Sequence, residues 1–312
     1  MKLSIVSTLY NSEKFIPKLI EELTKVVEEI GIDKRDYEII LVDDGSPDNS
    51  LKVALEEKKK YKDVNIIILE LSRNFGHHKA FWAGISKSIG EYVFLIDSDM
   101  DVHPSYLKSF YSEILNQEDV DVVYGVLKDR KLIKTTSNLF WKFFNYVSDV
   151  PVPLNITTER IMNRNYVNAL LSLNDFNLFI GGLYYWVGFH QKSIEVRRIS
   201  NRKKSNYVLT KRIHLFIEAL TSFTSYPIWL ILRLSLYLNV ASIIYLFYLI
   251  IRKILYPETI LLGYASIGAL LVFFGSLIIF IICFIGIYIE KIFNQVKQRP
   301  RYIVRKEYKN LI

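Results

Sequence analysis

The stretch Tyr92-Val93-Phe94-Leu95-Ile96-Asp97-Ser98-Asp99-Met100-Asp101 constrains this chain more than any other. An unbroken apolar and aromatic run leads straight into three acids at alternating positions. No polar residue interrupts the first half, so it reads as a strand buried on both faces, as in a parallel sheet covered by helices. The acids fall just past the strand's carboxyl end, where open α/β sheets bind their ligands. Asp97 and Asp99 are two residues apart, so in an extended segment their carboxylates point the same way. Such a pair suits a hard divalent cation that also takes phosphate oxygens and water as ligands. An isolated pair of this spacing is more often a solvated acidic turn, so its surroundings decide its meaning.

Those surroundings alternate between strand and helix. Residues 3–8 form a short apolar strand ending at Tyr10-Asn11-Ser12, and Leu19, Leu23, Val26 and Ile30 then recur at helical spacing. Pro17 is tolerated in the first turn of that helix, and Gly31 ends it. A second strand over 37–42 runs into the turn Asp43-Asp44-Gly45-Ser46-Pro47-Asp48, followed by a charged helix through Lys60 and a third strand over 64–69. Arg73-Asn74-Phe75-Gly76-His77-His78-Lys79-Ala80 leads into a helix ending near Gly90, and a further short strand covers 120–123. The alternation predicts a doubly wound, Rossmann-like α/β domain with a mostly parallel sheet. No G-x-G-x-x-G follows the first strand, which argues against a nicotinamide or flavin dinucleotide. Acids at the strand ends suit a metal-bridged nucleotide diphosphate instead. The pair His77-His78 at a helix start reads as structural, and the remaining histidines are too dispersed for a metal cluster.

With 312 residues there is room for one such domain and something more. The apolar share is 51%, and the excess sits after Tyr226. Segment 234–251 reaches the roughly 18 residues that a membrane span needs, and 260–289 carries no charge at all. Arg197, Arg198, Arg202, Lys203, Lys204, Lys211 and Arg212 precede the pair, and Lys291, Lys297, Arg299, Arg301, Arg305 and Lys306 follow it. The positive-inside rule then predicts a transmembrane hairpin over 227–290, with both flanks on the cytoplasmic side. Leu209, Ile213, Phe216, Leu220 and Phe223 form a seam beside Lys211 and Arg212, which predicts an amphipathic interfacial helix over 207–226. The expected layout is a catalytic domain over 1–206, this helix, the hairpin, and a basic cytoplasmic tail over 291–312. The apolar start before Asn11 and Glu13 is too short for a signal peptide. An integral membrane protein with its catalytic domain in the cytoplasm, at the inner or plasma membrane in a bacterium, is therefore expected. Cys283 is the single cysteine, which excludes a disulfide framework and a thiolate metal site. The net charge of +8 suits an anionic membrane surface or phosphorylated substrates. No nucleic-acid recognition motif is present.

Four segments stand in a familiar order: Ser7-Thr8-Leu9-Tyr10-Asn11, Val42-Asp43-Asp44-Gly45-Ser46, Arg73-Asn74-Phe75-Gly76-His77 and Asp97-Ser98-Asp99. The order resembles that of family 2 glycosyltransferases of the GT-A fold. Arg160-Ile161-Met162-Asn163-Arg164, Gly188-Phe189-His190-Gln191, Thr221-Ser222-Phe223 and Val296-Lys297-Gln298-Arg299-Pro300-Arg301-Tyr302 narrow the resemblance to polyprenyl-phosphate glycosyltransferases. That group includes dolichol-phosphate mannose synthase and bacterial undecaprenyl-phosphate glucosyl- and aminoarabinosyl-transferases. The resemblance implies that Thr8, Tyr10, Ser12, Val42 and Asp44 hold the nucleotide's base and ribose. It implies that Asp97, Ser98, Asp99 and Asp101 form the catalytic, diphosphate and metal site, with Mg²⁺ or Mn²⁺ on Asp97 and Asp99. Arg202, Lys203 and Lys204 then meet the donor and lipid phosphates. The chain departs from the family at Thr8, where proline is usual, at Ser12, where glutamate is usual, and at Asp101, where glutamine is common. Leu127 stands where arginine is frequent, with Arg130 close enough to substitute in binding the nucleotide sugar. Thr158 stands where some relatives carry an aspartate.

The implied reaction is inverting transfer of one sugar from a UDP- or GDP-sugar to undecaprenyl or dolichyl phosphate at the cytoplasmic membrane face, for cell-surface glycan assembly or modification. The partners are the nucleotide sugar, the polyprenyl phosphate and the membrane, and a homo-oligomer is compatible with the sequence. Two alternatives remain open. One is a membrane glycosyltransferase that extends a lipid-linked glycan at a sugar hydroxyl, and the other is a non-catalytic scaffold that binds nucleotide sugar.

Overall fold

In the computed structural model, strand β1 (Leu3–Leu9) is buried at every position, as a strand covered on both faces must be. The structure describes residues 1–117, 119–128, 153, 155–173, 180–199 and 264–309, with isolated positions between 233 and 255. After β1 come α1 (Ile16–Ile30), β2 (Tyr37–Asp43), α2 (Ser50–Lys60), β3 (Asn65–Leu71), α3 (His77–Lys87), β4 (Tyr92–Asp97) and α4 (Tyr106–Asn116). The chain continues through β5 (Val122–Leu127), β6 (Ile156–Asn163), α5 (Arg164–Ser172), α6 (Ile180–Trp186), β7 (Gln191–Val196), α7 (Tyr264–Val296) and β8 (Val304–Tyr308).

Local chemistry explains the better-formed elements. α1 places Leu19, Leu23, Val26 and Val27 against the sheet, carries Pro17 in its first turn, and stops at Gly31 with φ 81°. That left-handed turn lets the Gly31 and Ile32 amides donate to carbonyls of the last helical turn. α3 lies so close to β1 that a Cβ on Gly84 would sit 2.2 Å from the Val6 side chain. Phe94 of β4 packs edge-on against Phe110 of α4, their ring centroids 5.8 Å apart.

The eight strands run β7-β5-β6-β4-β1-β2-β3-β8 across the sheet. β1 pairs in parallel with both β2 and β4, and β2 with β3, which is the doubly wound core expected from the alternation. The flanks are mixed: β6 is antiparallel to β4 and β5, and β8 is antiparallel to β3. β5 and β7 are parallel. β8 follows α7 in sequence yet belongs to the same compact unit as the sheet, which comprises Met1–Asn145, Val150–Asn206 and Arg299–Ile312. Polar contacts fasten that last segment. The Tyr308 hydroxyl donates to Glu70, Lys58 donates to the Tyr308 carbonyl, Lys87 pairs with Glu307, and the Arg301 guanidinium lies over the Trp82 ring.

The membrane expectation is corrected. A span needs about 20 consecutive apolar residues, and among the described residues no helix is long and apolar enough to cross a membrane. The expected span over 234–251 is described only at isolated positions. The transmembrane hairpin, and with it the assignment as an integral membrane protein with a cytoplasmic catalytic domain, does not stand. The interfacial helix expected over 207–226 lies outside the described residues.

Candidate active site

The chain leaves β1 toward β2 and leaves β4 in the opposite direction, toward β5, so a crevice opens between the carboxyl ends of the neighbours β1 and β4. The register sets Thr8 of β1 beside Asp97 of β4 at that crevice. Four strand-end loops converge there, after β1, β2, β3 and β4.

The loop after β1 turns at Asn11, whose φ of 55° is left-handed, a conformation that asparagine tolerates better than most residues. The turn folds Ser12 inward, where its hydroxyl meets the Tyr10 amide at 3.1 Å and the Ser98 hydroxyl at 2.8 Å. The Ser12 amide donates to the Ser50 hydroxyl at 2.8 Å, which ties this loop to α2. Ser12 and Ser98 are both buried, whereas Tyr10 is exposed at the rim.

Asp44, also buried, joins the second and third loops. Its carboxylate accepts the Phe75 amide at 2.7 Å and the Gly76 amide at 2.9 Å. Gly45 permits this approach: its φ is +64°, and a Cβ there would lie 2.7 Å from the Asn74 nitrogen. Burial pushes the Asp44 carboxyl above its ordinary range, against the pull of the two amides that favour its charged form. Val42 lies two residues earlier, within β2, fully buried beneath Gly84.

Gly76, with φ +97°, turns the chain directly into α3, so His77 opens that helix over the crevice. His77 Nδ1 lies 3.4 Å from the Thr8 hydroxyl, and His77 Nε2 lies 3.8 Å from Asp97 Oδ1. Phe81 braces the ring edge-on, with the centroids 4.7 Å apart. Burial lowers the imidazole's pKa and the Asp99 charge opposes that shift, so the ring is neutral near pH 7.

The acidic loop completes the site. Burial raises the Asp97 carboxyl to about 6, and the charges of Asp99 and Asp101 push it the same way, while a bond from the Thr158 hydroxyl pulls against them. Met100 is left-handed at φ 50°, and the turn lets Asp99 Oδ1 accept the Asp101 amide at 3.1 Å. Asp101 pairs with Arg198 at 2.8 Å, and its carbonyl accepts the Ile199 amide. The segment after β7 is thereby held to this loop.

Beside it lies β6, a strand not expected from the sequence. Glu159 is buried, and its carboxyl is raised to about 7 by burial and then by the charge of Asp97. Arg160 is 1% exposed; its guanidinium stacks 3.4 Å over the Tyr184 ring, and its Nε and Nη1 find no hydrogen-bond partner among the described residues. Of the expected site residues, Thr8, Tyr10, Ser12, Asp44, Asp97, Ser98, Asp99 and Asp101 gather at the crevice, and Val42 lies in the core behind it. Arg130, Arg202, Lys203 and Lys204 lie outside the described residues. His77, Glu159, Arg160 and Arg198 were not anticipated. For His77 the available signal was its place at the end of the third strand-end loop.

Among the described residues no group of three or more His, Cys, Asp or Glu side chains is arranged to hold a metal ion by itself. The crevice nonetheless fits a cation of the Mg²⁺ type, which is commonly held by one or two carboxylates while substrate phosphates and water complete its shell. Burial is the main cause that raises Asp97, and the smaller repulsion from Asp99 and Asp101 is what a bound dication would relieve.

Residues 4–171 match the family described as glycosyl transferase family 2. A Mycobacterium tuberculosis (strain CDC 1551 / Oshkosh) protein named among glycosyltransferases is 33% identical over 311 residues, covering 99% of this chain and 89% of that one. A Shigella flexneri protein named SfII prophage-derived bactoprenol glucosyl transferase is 28% identical over 320 residues, covering 99% of both. Among solved structures, mannosyl-3-phosphoglycerate synthase from Rubrobacter xylanophilus aligns with a TM-score of 0.48 at 17% identity, over 70% of this chain and 72% of that one.

Proposed function

This chain belongs to glycosyl transferase family 2, and we propose that it transfers a single sugar, with inversion, from a nucleotide-diphosphate sugar to a polyprenyl phosphate. The observation that carries the reading is the acidic loop at the β1–β4 crevice, where Asp97 stands beside Thr8 and Asp99 turns back to accept the Asp101 amide. A divalent cation, Mg²⁺ or Mn²⁺, held by Asp97 and Asp99 would neutralise charge on the departing diphosphate. Ser98, fixed by Ser12, keeps the backbone between those two acids in place. Asp101 answers Arg198 and holds the segment after β7 to the loop. Thr8, Tyr10, Ser12 and Asp44 border the nucleoside side of the crevice, with Val42 packed behind them. The resemblance gives Arg130 to the nucleotide sugar, and Arg202, Lys203 and Lys204 to the donor and lipid phosphates.

The acceptor is argued from chemistry and from the relatives. A lipid phosphate has its second pKa near 6, so its oxygen is already largely anionic at neutral pH and attacks without a base. A sugar hydroxyl would need one, typically worth about 10²–10⁴-fold. At the position where some relatives carry an aspartate, this chain offers the Thr158 hydroxyl, which bonds Asp97. The end-to-end match to the bactoprenol glucosyl transferase points the same way.

The test offers labelled UDP- and GDP-sugars with undecaprenyl or dolichyl phosphate and Mn²⁺, and reads the anomeric configuration of the product by NMR. Inversion is expected, with transfer abolished by EDTA and by Asp99→Ala in a folded variant. Retention of configuration would refute a single displacement, and full activity in Asp99→Ala would remove the acidic loop from the reaction.

A further inference from the structure

We infer that His77 is a positioning residue for Asp97: its Nε2–H faces one carboxylate oxygen, closes onto it when the cation binds, and leaves the other oxygen for the cation. The inference rests on reading Asp97 and Asp99 as the cation site. Three observations carry it. His77 stands between the paired residues Thr8 and Asp97, with one ring nitrogen 3.4 Å from the Thr8 hydroxyl and the other 3.8 Å from Asp97 Oδ1. Its ring orientation is fixed by the edge-on contact with Phe81. Its backbone is fixed too, because Asp44 grips the two amides immediately before it.

The tautomer follows from these neighbours. A neutral imidazole holds one proton, and the Thr8 hydroxyl can donate to Nδ1, which leaves the proton on Nε2 facing a carboxylate that can only accept when ionised. The opposite tautomer would set the Nε2 lone pair against Asp97. The 3.8 Å gap exceeds a hydrogen bond, and site hydrogen bonds in ligand-free proteins are often loose and tighten on binding. Outer partners of this kind orient a ligating carboxylate, and their loss typically costs about 10–100-fold in metal affinity. A purely local role at the start of α3 does not account for the geometry. The His77 ring is aimed across the crevice at two different strands.

The decisive experiment measures Mn²⁺ binding to the full chain in the presence of UDP or GDP, by the electron paramagnetic resonance signal of free Mn²⁺, with thermal midpoints recorded in parallel. His77→Ala should weaken Mn²⁺ by about 10–100-fold. His77→Gln, whose amide reaches the Nε2 position, should stay within about threefold of the parent, while His77→Asn, whose amide reaches only the Thr8 side, should behave like alanine. Where alanine fails to fold, the contrast between glutamine and asparagine decides. Unchanged Mn²⁺ affinity in the alanine and asparagine variants, or equal weakening in glutamine and asparagine, overturns the role of Nε2–H. A parent protein that binds no Mn²⁺ with either nucleotide overturns the cation site itself, and that outcome is seen before any variant is compared.

Discussion

Asp44→Asn isolates the join between the second and third loops. In the parent, the Asp44 carboxylate accepts the Phe75 and Gly76 amides at 2.7 and 2.9 Å. Hydrogen bonds to a charged group each contribute about 1.5–3 kcal/mol. Asparagine keeps one carbonyl acceptor, now neutral, and turns an NH₂ group toward the second amide, so one bond is lost and the other weakened. Against that, asparagine avoids burying the charge that pushes this carboxyl upward. The net cost is about 1–3 kcal/mol, or a fall of roughly 3–10 °C in thermal midpoint for a unit of this size. Hydrogen exchange in the ligand-free protein is the sharper assay. Protection of the Phe75 and Gly76 amides should fall by about 10–100-fold, while protection in β1 and β2 is kept. Unchanged protection at those two amides would refute the reasoning and leave Asp44 a role only when nucleotide is bound.

Gly45→Ala should cost more than about 2 kcal/mol, because the new Cβ meets the Asn74 nitrogen and the Arg73 carbonyl carbon in a left-handed conformation; a thermal midpoint equal to the parent's would contradict it. The buried acids set a pH dependence. Asp97 and Glu159 have folded pKa values of about 6 and 7, above their ordinary values of 3.8 and 4.5. The stability these groups contribute is therefore full below about pH 4 and is lost as pH rises through those folded values. Calorimetry should show Glu159→Gln flattening the fall in midpoint between about pH 5 and 8, whereas an identical slope in parent and variant would show that Glu159 does not titrate there.

The parts of the fold that were legible in the sequence are those written in local pattern. The uniform burial of β1 and β2, the helical spacing of Leu19, Leu23 and Val26, and the stop at Gly31 each follow from residues a few positions apart. β6 was not legible because Thr157, Thr158, Glu159 and Arg160 read as a polar segment, and only the pairing with β4 and β5 buries the last two. β8 is a short charged edge strand, Val-Arg-Lys-Glu-Tyr, whose partner β3 lies far away in sequence. Charge on an edge strand protects it from unwanted pairing and also hides it from a hydrophobic reading. The acidic loop was legible as a candidate site because its residue types and spacing stand together in one short window. The place of His77 was not legible, because it depends on Asp44 carrying the third loop across to β1 and β4, a contact no short window contains. For the apolar residues after Tyr226, composition suggested a hairpin that the described residues do not support.

The central claim is transfer to a phosphate oxygen at the acidic loop. Its most direct test offers matched acceptors, polyprenyl phosphate and the corresponding free polyprenol, to the purified protein with labelled nucleotide sugar and Mn²⁺, and identifies the products by mass spectrometry. The account predicts a sugar–phosphate–prenyl product from the phosphate, nothing from the alcohol, and nothing from either acceptor in Asp99→Ala. Sugar attached to the free prenol, or product formed at the parent's rate by Asp99→Ala, would contradict it.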